Sequence, residues 1–208
     1  FKDVKFDSGV NNKLFGYFKN INYRTKNIDL YKEDTTNEIY GAFGYFADVN
    51  FVKKVNEKDF LFKPKLLLRY APGNMRDEIE GEKLNPEKAF SLDRLNNDKN
   101  FETGLSGTIG FDYETKNNDK ELNFSVAQII NEKENKKMAS DTSLDEKLSD
   151  LVGSVEYKLN DKFSYNYNFS VDQNYNDINY NEIGTNLDLG QLNLKFNYLE
   201  ERKHIGNK

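Results

Sequence analysis

The sequence predicts an all-β protein, an antiparallel up-and-down meander of long strands that forms part of a transmembrane β-barrel. Three observations predict it. Apolar and polar residues alternate with period two along most of the chain, as in strands that show an apolar medium on one face only. Many runs outlast the roughly five or six residues of an ordinary globular strand and match the roughly nine to eleven of a tilted membrane crossing. The connections between the runs alternate long and short, as in outer-membrane barrels with tight turns at one rim and loops at the other.

The periodicity places roughly nine strands, at about 13–23, 37–54, 59–71, 100–115, 120–131, 149–159, 162–173, 178–189 and 191–201. Upstream, the apolar faces are Ile39, Phe43, Tyr45, Val49 and Phe51, then Phe60, Phe62, Leu66, Leu68 and Tyr70. Phe101 to Thr115 sets Phe101, Thr103, Leu105, Ile109, Phe111 and Tyr113 against Glu102, Ser106, Thr108, Asp112 and Glu114. Leu122, Phe124, Val126 and Ile130 make the next face, and Leu151, Val155, Tyr157 and Leu159 the one after. The pattern is purest where Phe163, Tyr165, Tyr167, Phe169 and Val171 interleave with Ser164, Asn166, Asn168, Ser170 and Asp172. The aromatic row should face lipid and the polar row a lumen. Leu192, Leu194, Phe196 and Tyr198 close the series. Pro64 interrupts a strand pattern and should sit where no ladder N–H is needed.

Among the connections, Arg24 to Thr36, Ala71 to Lys99 and Glu132 to Leu148 are long, and the last could hold a short helical turn. Val55 to Lys58, Lys116 to Asp119, Asn160-Asp161 and Gly190-Gln191 are short. Asn, Asp and Gly at these points suit hairpin turns with positive φ.

Composition fits a barrel and excludes other classes. The 208 residues begin at Phe1 and end inside an apolar alternation, so the chain reads as a single domain, 1–208, and as a fragment of a longer barrel. Sixteen Phe and thirteen Tyr supply strand propensity and argue against disorder despite 31% charged residues. A mean hydropathy of -0.87 is compatible with strands that show lipid only every second residue. A net charge of -5 gives no reason to expect nucleic acid as a partner. Without Cys there is no disulfide and no thiolate metal site.

No motif points to catalysis, a cofactor or a metal. His204 is the only His, and a solvent-exposed side chain is the default reading over a catalytic one. Two acidic clusters, Asp77, Glu78, Glu80, Glu82 and Asp141, Asp145, Glu146, Asp150, lack EF-hand spacing and read as solvated loop charge. Asn123-Phe124-Ser125 and Asn168-Phe169-Ser170 match a glycosylation acceptor but fall inside strands. Gly41, Gly44, Gly104, Gly107 and Gly110 precede no helix and suggest bulges or close packing at a curved wall. Lys63, Lys65 and Arg69 alternate with Phe62, Leu66, Leu68 and Tyr70. They make either a solvated sheet face or a basic stripe in a lumen that meets anionic sugar-phosphate.

Several ordered stretches resemble the LptD family of lipopolysaccharide-assembly proteins. Phe62-Lys63-Pro64-Lys65-Leu66-Leu67-Leu68-Arg69-Tyr70 is similar to its Pro-x-Leu-x-x-Arg-Tyr segment. Ala89-Phe90-Ser91-Leu92-Asp93-Arg94 is similar to its Leu-Phe-Ser-x-Asn-Arg stretch, with Asp93 in place of the usual Asn. Thr108-Ile109-Gly110-Phe111-Asp112-Tyr113, Ser125-Val126-Ala127-Gln128-Ile129-Ile130 and Ser149-Asp150-Leu151-Val152-Gly153-Ser154 follow in the family's order. The resemblance runs over roughly residues 60–201 and implies the middle of the barrel. It implies a non-enzymatic role without cofactors, in the outer-membrane translocon that places lipopolysaccharide in the outer leaflet. It also implies an LptE-like lipoprotein within the barrel, periplasmic Lpt bridge components reached through an N-terminal domain outside this sequence, and contact with membrane lipid. Lys63, Lys65 and Arg69 become candidate lumen-facing contacts for the substrate. The alternatives are another outer-membrane barrel, either a porin or a TonB-dependent receptor, and a soluble carbohydrate-binding β-sandwich. An enzyme is more distant still.

Overall fold

A computed structural model describes residues 2–5, 9–27, 34–78, 81–95 and 97–202. His204 and Glu80 lie outside them. Eleven strands form one antiparallel sheet: β1 (Lys2–Lys5), β2 (Val10–Thr25), β3 (Asp34–Val49), β4 (Phe51–Val55), β5 (Lys58–Ala71), β6 (Gly104–Asn117), β7 (Lys120–Asn131), β8 (Leu151–Asn160), β9 (Phe163–Val171), β10 (Ile178–Asp188) and β11 (Asn193–Glu201). The strand path runs in sequence order and does not close on itself, so the fold is the expected meander in the form of a partial barrel. β1 is additional to the strands read from the periodicity.

The predicted 37–54 strand is two strands, and Pro64 marks the reason. The ladder of β3 to β5 ends at Asp48 opposite Lys65, and that of β4 to β5 begins at Phe51 opposite Phe62. Lys63 and Pro64 have no ladder partner on that side, although β6 pairs continuously with β5 on the other. Proline has no N–H to offer, so the break falls where it costs least.

Loop length sorts by rim. On one rim are the two-residue turns Asn56-Glu57, Asn118-Asp119, Asp161-Lys162 and Gly190-Gln191. Positive φ falls on their first residue at Asn56, Asn118 and Gly190. The β8–β9 turn is displaced one residue from the Asn160-Asp161 expectation. Asn160 stays paired with Phe163 while its Oδ1 accepts from the N–H groups of Lys162 and Phe163, each at 2.9 Å. On the other rim the long connections join β2 to β3, β5 to β6 (72–103), β7 to β8 (132–150) and β9 to β10 (172–177). The shortest of these is organised by Asp172, which lies just past the end of β9 and not within its polar row. Its Oδ1 accepts from the N–H groups of Asn176 and Asp177 at 2.7 and 3.0 Å.

Register assigns each side chain to one of two faces. One row on the first face runs Phe51, Phe62, Tyr113, Phe124, Val155, Tyr167, Ile183 and Tyr198 across eight neighbouring strands. Among the described residues no loop covers this face, and Phe18, Ile39 and Phe43 are about two-thirds exposed, at 68%, 66% and 68%. The second, inner face is covered near the long-loop rim. Connection 72–103, which carries the one-turn helix α1 (Pro86–Ala89), folds over β7 and β8, and connection 132–150 packs beside it. Pro86 opens α1 with its φ already helical, and Asn85 Oδ1 caps it by accepting from the Lys88 N–H at 2.8 Å. The 132–150 connection holds the expected helical turn as a single 3-10 turn, Ser140–Thr142.

Two apolar clusters fix this cover. Met75, Leu84, Ala89, Leu95, Met138 and Leu144 from the connections bury Ala127, Ile129 and Val152. Leu92 and Phe101 do the same for Ile21, Tyr40, Ala42, Leu67 and Ala71. Close approach needs glycine on the inner wall. A Cβ at Gly44 would crowd Leu92 Cδ2 at 2.7 Å, and one at Gly110 would strike the Val126 carbonyl oxygen and reach Phe90 at 3.1 Å.

Gly110→Ala should therefore destabilise the fold by about 1–3 kcal/mol, the usual range for overpacking. Gly107→Ala, which meets only Leu68 at 3.7 Å on the uncovered face, should be near neutral. Heat-dependent unfolding followed by gel mobility checks both. A second expectation concerns acid. The backbone N–H groups of Asp177 and Asn176 hold the Asp172 carboxyl below its usual range. Its support of the 172–177 loop is then complete above the ordinary carboxylate pKa and is lost as pH falls through the lowered value. Amide exchange at Asn176 and Asp177 should accelerate only at the acid end of a pH series.

Candidate functional site

The inner face divides into a dry half under the cover and an open polar half near the tight turns. In the dry half the cover is tied down by charge as well as by apolar contact. Arg69, on β5, is 1% exposed. Its Nε donates to the Leu92 carbonyl at 2.9 Å and its Nη2 to the Glu102 carbonyl at 2.6 Å, with its guanidinium over the Phe101 ring. Arg94 Nε lies 2.7 Å from Glu102 Oε2, with the two side chains 0% and 4% exposed, and its Nη2 donates to Ser106 Oγ at 2.7 Å. Thr108 Oγ1 donates to the Ala89 carbonyl at 2.8 Å. Lys19 on β2 reaches Asp93 at 2.8 Å and also donates to the Asn97 carbonyl. Tyr17 stacks on Phe101 with ring centres 5.6 Å apart, and Arg76 pairs with Glu38.

The basic stripe foreseen on β5 is thus one face with three environments. Arg69 lies beneath the cover. Lys65 Nζ is 2.5 Å from Asp112 Oδ1, which also accepts from Ser125 Oγ at 2.9 Å, and it lies 4.5 Å from the centre of the Phe90 ring. Lys63 is half-buried, opposite Asp112 in register, and among the described residues it makes no ion pair. Glu78 and Asp150 of the acidic loop clusters accept hydrogen bonds within the protein. Glu78 Oε2 accepts from Asn97 and Asn100, at 3.3 and 3.1 Å. Asp150 Oδ2 accepts from Ser170 Oγ at 2.7 Å and from Asn179 at 2.8 Å.

The open half is built from three rows of polar side chains on neighbouring strands. Lys63, Asp112, Ser125, Ser154, Asn168 and Glu182 form the first. Glu114, Asn123, Glu156 and Asn166 form the second. Lys116, Glu121, Lys158, Ser164 and Asn186 form the third. Opposite charges in the last row are paired: Lys116 with Glu121 at 2.5 Å, and Lys158 with Asp161 of the adjoining turn at 2.8 Å. Asn166 lies across Gly184, occupying the space where a Cβ would stand. A groove of about 500 Å³ runs along Asn123, Glu156, Ser164, Asn166 and Asn186. Amides, hydroxyls and carboxylates give a hydroxyl-rich solute many exchangeable hydrogen bonds.

Sequence reasoning missed the cover and its anchor Arg94. It also placed Phe101 and Glu102 in a strand that in fact starts at Gly104, because the segment before it is held against the sheet by burial of Phe101 and the Arg94–Glu102 pair. One signal for the cover was in the strands. Leu66-Leu67-Leu68, Ile129-Ile130 and Leu151-Val152 break the alternation with apolar residues on both faces, as expected where both faces are hidden from water.

A sheet of nine strands of 9 to 16 residues, with the short β1 and β4 beside them, apolar on its bare face and partly filled inside, is the wall of a membrane-type β-barrel. No helix among the described residues is long and apolar enough to cross a membrane. The family model described as LptD, LPS transport system D, matches residues 84–207. The chain belongs to that family, a lipopolysaccharide transport family. No curated protein matches the chain closely enough to count as a relative.

Arg94→Met should cost about 3–5 kcal/mol, because it leaves the Glu102 carboxylate buried without its partner. The double variant Arg94→Met, Glu102→Met should recover most of that loss. Denaturant unfolding of the two singles and the double forms the cycle that checks it.

Proposed function

We propose that this chain is a central stretch of wall in the outer-membrane barrel that delivers lipopolysaccharide to the cell surface. The observation that carries the reading is the family match over most of the strands, on a sheet whose two faces suit two media. The tight turns point to the periplasm and the long loops to the outside, as in other barrels of this kind. The bare aromatic face meets lipid. The polar half of the inner face carries the sugars, and an LptE-like lipoprotein partner occupies the same interior.

In this role the segment is passive wall and not gate, since a lateral opening needs the first and last strands of a barrel and the family resemblance belongs to its middle. Among the stripe residues, Lys63 is best placed for transient contact with sugar-phosphate. Lys65 contributes through a partly shared ammonium. Arg69 acts by holding the cover over the path. Contacts must stay weak, because a tight site would stall transport.

Photo-crosslinking probes placed in the protein as encoded with its flanking sequence test this. Probes at Asn166 and Lys63 should capture lipopolysaccharide or the lipoprotein partner, and a probe at Tyr165, one residue away on the bare face, should capture neither. Capture from Tyr165 alone would reverse the two faces. No capture at any position, with free permeation of small solutes through the purified barrel, would make it a porin.

A further inference from the structure

The bare face is not apolar to its edge. In the two rows nearest the tight-turn rim it carries three outward lysines. Lys53 pairs with Phe60 in register, Lys58 with Val55 on one side and Asn117 on the other, and Asn117 with Lys120. Lys53 and Lys58 are therefore diagonal neighbours on the surface, close enough to share one anion. Both are exposed, and neither has an ion-pair partner among the described residues. Lys54, on the opposite face of the same strand, is paired with Asp59 at 3.5 Å. A hollow of about 680 Å³ lies at this spot, lined by Lys53, Lys58, Val55, Phe60, Glu57 and Asn117 among others.

Position gives the hollow its meaning. The row that contains Phe51 and Phe62, whose rings stack 6.2 Å apart, lies two residues from Lys53 and four from Lys58 along the strands. At about 3.4 Å per residue, Lys58 stands roughly 14 Å from that aromatic row, toward the tight-turn rim. An aromatic band followed by lysines is the order in which a bilayer presents its acyl boundary and then its phosphates. Two like charges set side by side are unfavourable unless something anionic joins them. The apolar floor of Val55 and Phe60 suits the first carbons of an acyl chain. Glu57, in the turn, is the acidic side chain in the lining and opposes an anion.

We infer that Lys53 and Lys58 form a binding site for the phosphate of an anionic phospholipid in the leaflet at the tight-turn rim, with its acyl chain laid over Phe60 and Val55. The inference rests on the reading of this sheet as a membrane wall and adds to it a headgroup-selective site. The site would fix the depth of the barrel in the bilayer at one point of its circumference.

The test uses the protein with its flanking sequence, in nanodiscs of phosphatidylethanolamine containing a minority of phosphatidylglycerol, with retained lipid identified by native mass spectrometry. The protein should retain phosphatidylglycerol several-fold above its share in the disc. Lys53→Gln with Lys58→Gln should abolish the enrichment, Lys54→Gln should leave it unchanged, and Glu57→Gln should raise it. That last gain of function is one that a folding defect does not mimic. Equal retention of both lipids by the unmodified protein, or an equal loss in Lys54→Gln, would overturn the site. A protein that fails to enter the discs at all would instead overturn the membrane-wall reading on which it rests.

Discussion

Strand register is the constraint on which the remaining features depend. Side chains on a strand alternate between faces, so a slip of one residue would exchange the two faces of a whole strand. Continuous pairing from β5 to β11 holds the aromatic row and the polar rows in line across the sheet. Two devices keep register without spoiling a face. Pro64 is placed against the gap between β3 and β4, where the ladder requires nothing of it. Gly153 sits under the Phe169 ring, which covers the backbone that the missing side chain would expose.

The cover over the inner face is a second layer built on that register. Its apolar clusters supply the drive, since each buried aliphatic side chain contributes on the order of 1.5–3 kcal/mol. Its buried charges supply position. A buried ion pair often adds little net stability, because desolvation offsets attraction. The fixed geometry of the Arg69 and Arg94 guanidinium groups instead selects one placement of the Leu92 and Glu102 segment over others that would bury as much apolar area. Aligned strands thus present a socket, and the connection between β5 and β6 is its plug.

The two halves of the inner face suit the proposed role for complementary reasons. The covered half buries one end of the inner face, and the open polar half would offer sugars a path of replaceable hydrogen bonds. Lys116 and Lys158 are each held by a carboxylate beside them, so neither is free to trap a passing polyanion. The covered and open zones meet at Lys65, whose ammonium touches both Phe90 of the cover and Asp112 of the polar rows.

The strands, their faces and the rim on which each turn lies were legible from residue order, because a strand's side-chain period and a hairpin's turn chemistry are local properties. Phe163 to Val171 shows this most plainly: its aromatic and polar rows fall on opposite faces, as the alternation required. Membership of the stripe was legible too, since Lys63, Lys65 and Arg69 share one face by parity alone. What each of them does was not. Arg69 lies under the cover, Lys65 is shared and Lys63 is left half open because connection 72–103 returns to the sheet above one end of β5 and not the other. The three are alike in sequence context. They differ through contacts with residues 23 to 47 positions away, and a local pattern carries no record of which distant segment will lie upon it.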